Sequence, residues 1–135
     1  MSRNLHRRIV CAAVMVVLIP LGLVCRFVPI GLPQAVVKYG GSFLWATMVY
    51  LLVAVLLPEL RPATAGTLAA IVAAVIEYVK LIPSAELDLV RSTFAGKVLL
   101  GRFFSLLDIA VYWIAILCAA GIDHRVSRRS RVSKR

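Results

Sequence analysis

The chain has 135 residues, a formal net charge of +10, 61% hydrophobic residues and only 16% charged ones, with a mean hydropathy of +0.93. That composition excludes a soluble globular domain and reads as a membrane protein. Apolar stretches take up most of the chain, so little length is left for a separate soluble unit.

Residues 9–25 form the first apolar stretch, preceded by Arg3, Arg7 and Arg8. A basic start before an apolar run is also how a signal peptide begins, but the exit "LVCRFVP" lacks an Ala-x-Ala-like site, and Gly22 stands where a lipoprotein pattern wants Leu. The segment is read as a first span. Further spans are expected at residues 40–57, 64–82 and 103–122, each near the roughly 20 residues that cross a ~30 Å hydrocarbon core. The expected fold is therefore all-α, an integral membrane four-helix bundle, with a basic N-terminus at 1–8, a membrane domain at 9–122 and a basic tail at 123–135.

Between spans two and three, "PELRPA" reads as a tight turn, because Pro58 and Pro62 end one helix and start the next. The other connections are longer, and residues 83–102 are half apolar. This segment is expected to lie against the bundle or dip into the membrane where protein covers its backbone. Four spans put both termini on one side. Ten Lys and Arg fall on that side and six on the other, Arg26, Lys38, Lys80, Arg91, Lys97 and Arg102, so the positive-inside rule predicts cytoplasmic termini.

Within the third stretch, "IVAAVIEYVKLIP", Glu77 and Lys80 interrupt an otherwise apolar run. Glu77 lies about five residues from the outer end, ~7 to 8 Å deep at the helical rise, and Asp108 lies at a similar depth in the fourth span. An acidic residue at a helix centre costs roughly 2.5 to 3.5 kcal/mol, so both need partners, a protein interior or a proton. Arg26, Lys38 and Arg91 approach from the outer ends, Tyr112 stands four residues after Asp108, and Trp45 and Tyr39 lie near the outer end of span two. A polar cluster of Glu77, Arg91, Asp108, Arg26, Lys38 and Tyr112 is expected there. Two structural readings compete with a ligand site. "SLLD", residues 105–108, resembles a capping box with Asp108 accepting from the first turn. Glu77 and Lys80 also make a simple structural pair, with Lys80 snorkelling outward.

Other signals are weaker. Cys11, Cys25 and Cys118 lie within spans without C-x-x-C spacing and read as packing residues; His6 and His124 sit among arginines without ligands nearby. No metal or cofactor is expected. Gly22, Gly40, Gly41, Gly96 and Gly101 are expected to permit close helix approach or loop turns. Tyr50 and Trp113, deep in spans, read as core or lipid-facing. Gly96-Lys97 lacks the rest of a phosphate-binding loop. The tail carries Arg125, Arg128, Arg129, Arg131, Lys134 and Arg135. It reads as a topology determinant that contacts anionic lipid, each charge being worth about 1 kcal/mol near the surface, and is expected to be disordered in isolation; RNA contact fits its composition less specifically.

The ordered series "PLGLVCRF", "VVKYGGSFLWATMVYLL", "AAVIEYVKL", "VRST" and "GRFFSLLDIAVY" resembles the family of small bacterial integral membrane proteins catalogued as domain of unknown function 2809, over residues 20–121. The resemblance places the family pattern on Arg26, Lys38, Tyr39, Trp45, Glu77, Arg91, Gly101, Asp108 and Tyr112. A more distant similarity is to VanZ-like proteins, which are associated with glycopeptide resistance; both groups carry Gln where this chain has Lys80. The resemblance implies a four-span protein of the bacterial inner membrane and brings no activity with it.

The function expected is that of a binding or accessory protein engaging an anionic lipid or lipid-linked envelope precursor at the charged cluster. The alternatives are a proton or cation relay through Glu77 and Asp108, or a structural subunit beside a membrane-protein partner. A relay requires a continuous polar path, and stretches such as "LVAVLL" and "TLAAIVAA" offer little of one. An enzyme is not expected, since Ser84, Ser92, Thr93 and Ser105 have no outer-side His and no hydrolase motif beside them.

Overall fold

A computed structural model describes residues 3–29, 31–100 and 103–132. Gly101, Arg102, Lys134 and Arg135, together with the side chains of Arg129 and Arg131, lie outside the described residues. Among the described residues the regular structure is all helical: α1 (Arg3–Phe27), α2 (Gln34–Leu56), α3 (Pro62–Val79), α4 (Ala85–Ser92), α5 (Phe94–Leu99) and α6 (Leu106–Val132). Prolines set several boundaries. Pro33 precedes α2, and Pro62 opens α3, where its missing N–H removes no intrahelical bond. Helices α1, α2, α3 and α6 are long and apolar enough to cross a membrane.

Helices α2, α3 and α6 each contact the other two, while α1 packs along α2. The inward faces repeat at helical spacing. On α3 the fully buried residues are Ala65, Ala69, Ala73 and Glu77, four apart; on α6 the stripe runs through Asp108, Tyr112, Ala115 and Ile116. Small side chains let α3 and α6 approach closely. A Cβ built on Gly66 would meet the Cβ of Ala120 at 3.4 Å and Cγ2 of Ile116 at 3.6 Å. Gly22, Gly40 and Gly41 play no such part, since a Cβ on any of them meets nothing within 4 Å. The outward faces carry Val16, Val17, Leu56, Ile71, Val75, Trp113 and Leu117, all exposed, a surface matched to hydrocarbon.

The core is closed at the end nearest the termini by a polar cluster that sequence reading did not anticipate. Asp123, on α6, accepts from Arg7 Nε and Nη2 at 3.0 and 2.6 Å, from Tyr50 Oη at 2.6 Å and from Ser127 Oγ at 3.3 Å. Arg7 Nη1 donates to the carbonyls of Pro58 and Leu60 at 2.8 and 2.6 Å, tying α1 to the α2–α3 turn. One guanidinium thus joins α1, that turn and α6. Arg7 is therefore a structural ion-pair partner. In the folded chain the first part of the tail continues α6 as far as Val132, with Asp123 and Ser127 bonded to each other within it.

Ion pair and partners alike are largely shielded, with side-chain exposures of 10% each for Arg7 and Asp123. Asp123→Ala leaves the guanidinium uncompensated and should lower stability by about 3 kcal/mol, whereas Tyr50→Phe, which removes one hydrogen bond, should cost about 1 kcal/mol. Thermal or denaturant unfolding in detergent checks the ranking.

Candidate functional site

The α3 stripe of alanines ends at Glu77, whose carboxylate therefore arrives inside the bundle, fully buried. Both of its oxygens are engaged. Oε1 accepts the backbone N–H of Ser105 at 2.9 Å; Oε2 accepts from Tyr112 Oη at 2.9 Å and from Lys80 Nζ at 2.5 Å. Lys80 does not snorkel: its side chain is 8% exposed and folds back onto Glu77. The short reach is possible because residues three apart lie on nearly the same helical face.

These contacts also explain the start of α6. Ser105 Oγ accepts the N–H of Asp108 at 3.4 Å, as a capping serine does, but the reciprocal bond to the Ser105 N–H comes from Glu77 on another helix. The expected "SLLD" box is completed in trans. Asp108 is thereby left out of the cap, and among the described residues its carboxylate accepts one side-chain hydrogen bond, from Ser42 Oγ at 3.2 Å.

Above this corner lies the connection expected to hug the bundle, folded as α4 and α5. Thr93 breaks them apart in extended conformation and caps α5 by accepting the Gly96 N–H at 3.0 Å. Gly96 is required at the corner, since a Cβ there would sit 1.8 Å from the Val90 carbonyl oxygen. Arg26, at the end of α1, donates to the carbonyls of Lys97 and Val98 at 2.6 and 3.4 Å, and Phe27 stacks on Phe94 at 5.3 Å, so α5 is fastened over the end of α1.

The result is a cavity of about 390 Å³ between the ends of α1, α2 and α6 and the α5 segment. Arg26, Lys38, Lys80, Asp108, Ser42, Trp45 and Tyr112 line it, with Val37, Gly41, Val98, Leu100 and Phe103 supplying apolar wall. Its volume falls in the range of ligand pockets. Trp45 and Tyr112 rest on each other at 5.0 Å, and Lys38 reaches over the ring of Tyr39 at 5.2 Å. Lys80 is neutralised by Glu77. Arg26 bonds only backbone carbonyls, and neither it nor Lys38 has a carboxylate partner among the described residues.

Of the expected cluster, Arg26, Lys38, Asp108 and Tyr112 meet at this cavity, and Glu77 lies directly behind Tyr112. Arg91 does not join them. Its Nη1 pairs with Asp88 at 3.0 Å, one residue-turn away on α4, and Nη2 donates to the Val79 carbonyl at 3.1 Å, fastening α4 to the end of α3. It faces a neighbouring cleft with Asp88, Ser92, Lys97 and Phe103. The helical spacing of Asp88 and Arg91 carried that signal. Ser42 was missed; its only mark in the sequence is being a lone hydroxyl after "GG" on the cavity side of α2.

Glu77→Ala strands Lys80 and the Ser105 N–H and should destabilise by about 3 kcal/mol or more, while pairing Glu77→Gln with Lys80→Met should recover part of the loss seen in Glu77→Gln alone. A double-mutant cycle read by unfolding in detergent reports the coupling.

The family described as Protein of unknown function (DUF2809) matches residues 31–116, a span that begins before α2 and ends within α6, and so contains Lys38, Ser42, Glu77, Lys80 and Asp108 but not Arg26. No solved structure matches the chain.

Proposed function

The chain belongs to this family of unknown function, and from that premise we propose that it is a multi-pass protein of the bacterial cytoplasmic membrane that binds the headgroup of an anionic lipid or lipid-linked envelope precursor in the cavity under α5. Both termini lie in the cytoplasm in this reading, supported by the ten-to-six distribution of Lys and Arg. The exposed Arg125 and Arg128 on the end of α6 then face the anionic inner leaflet.

The observation that carries the proposal is the charge balance of the cavity. Glu77 and Lys80 cancel, which leaves Arg26 and Lys38 against Asp108, a local excess of one positive charge in a pocket walled partly by apolar side chains. A guanidinium suits a phosphate, which it can hold through two parallel hydrogen bonds, and a nearby ammonium adds a point charge. Binding rather than catalysis is favoured because, among the described residues, the cavity lining holds no histidine or cysteine. A relay reading has less support: from Glu77 downward the buried α3 positions are Ala73, Ala69 and Ala65, and α6 answers with Ala115 and Ile116.

Native mass spectrometry of the detergent-extracted protein tests the proposal. Wild type should retain an anionic lipid. Lys38→Ala, which gives up only the contact with the Tyr39 ring within the fold, should weaken that retention about tenfold, the scale of one hydrogen bond to a charged group. Gly41→Leu should weaken it as well, since a side chain there meets open space at the cavity wall. Equal lipid retention in all three proteins, with unchanged melting, would refute the proposal.

A further inference from the structure

Asp108 is poorly explained by anion binding alone, because a carboxylate on the wall repels a phosphate. Its position is nonetheless built: the residue is 5% exposed, its backbone N–H is held by Ser105 and its Oδ1 by Ser42, while Oδ2 has no hydrogen-bond partner among the described residues. Nor is it shielded by a cation there, since Arg26 bonds carbonyls and Lys80 bonds Glu77. A carboxylate oxygen of a buried residue, left open to a cavity, is an acceptor for a donor that the ligand brings.

We infer that the cavity selects a polyol phosphodiester lipid, whose phosphate lies at Arg26 and Lys38 and whose terminal hydroxyls donate to Asp108. This rests on the headgroup reading above and adds the ligand class. Charge sets the choice. With Lys80 cancelled by Glu77, the lining carries one net positive charge, which a singly charged phosphodiester balances; a zwitterionic ethanolamine headgroup leaves that charge unbalanced, and a phosphomonoester brings a second negative charge toward Asp108 with no alcohol to offer it. The flank of the cavity favours a lipid over a free headgroup. Phe103, on the lining, is 82% exposed, and Leu106 and Leu107 beside it are also exposed, a hydrophobic approach suited to acyl chains.

The test is a competition titration of the detergent-solubilised full chain with short-chain phosphatidylglycerol, phosphatidic acid, phosphatidylethanolamine and the acyl-free phosphodiester glycerophosphoglycerol, read by native mass spectrometry. Phosphatidylglycerol should bind about tenfold or more tightly than the other two lipids, and free glycerophosphoglycerol should not displace it. Asp108→Asn should remove the preference over phosphatidic acid while Lys38→Ala weakens all anionic lipids alike. Equal binding of phosphatidic acid, or a preference that survives Asp108→Asn, overturns the polyol assignment and leaves the headgroup reading standing. Displacement by free glycerophosphoglycerol overturns the lipid as source. Binding of every lipid unchanged by Lys38→Ala overturns both readings at once. Retained helicity and melting of Asp108→Asn distinguish lost selectivity from lost fold.

Discussion

Burying the Glu77 carboxylate is the constraint from which the rest of this end of the molecule follows. A charge placed at the head of an alanine stripe is expensive unless its oxygens are hydrogen-bonded, and here three donors engage both of them. Because one of those donors is the backbone N–H at the start of α6, the carboxylate fixes where that helix begins. Because another is Lys80, the only cation on the same face of α3 is neutralised. The ligand-facing charges are those that Glu77 leaves over.

The same logic recurs at the opposite end, where Asp123 takes donors from Arg7, Tyr50 and Ser127. Between the two clusters the buried stripes are apolar and mostly small, which suits helices that associate by close approach rather than by hydrophobic collapse. The two ends differ in one respect that matters for function. Asp123 and Arg7 satisfy each other, and the adjoining cavity is small, about 160 Å³, and lined mainly by apolar atoms. Near Glu77, by contrast, cations outnumber the carboxylates that could pair with them.

Periodicity and composition made the helices legible, and the inward face of α3 could be read from Glu77 itself, since charge at that depth had to point into the bundle. Arg26, Lys38, Asp108 and Tyr112, expected near one another from the outer span ends and the i, i+4 spacing of Asp108 and Tyr112, line one cavity. What could not be read was which donor meets which acceptor. Arg91 went to Asp88, three residues before it, because a local helical pair needs no long-range ordering. The capping box at "SLLD" contained the right serine but took its acid from α3, a contact 28 residues distant in sequence. Asp123 is a single acid at the head of a basic tail, and the folded positions of Arg7 and Tyr50 give it a purpose. Of the glycines expected to serve close approach or turns, Gly96 is needed for a corner between two short helices, while Gly22, Gly40 and Gly41 take no part in close packing.

Membership of a family of unknown function supplies the frame but no ligand, so the division of labour between a structural carboxylate and an available cation pair has to be judged on its own physics. An experimental density map of the protein in lipid nanodiscs would decide it most directly. Headgroup density between Arg26 and Lys38, with the Glu77 carboxylate turned away from it onto Ser105 and Lys80, is the expected picture. A Glu77 carboxylate facing the cavity, or Arg26 paired with Asp108 across a collapsed one, would show that the charges exist for each other and that no ligand is needed.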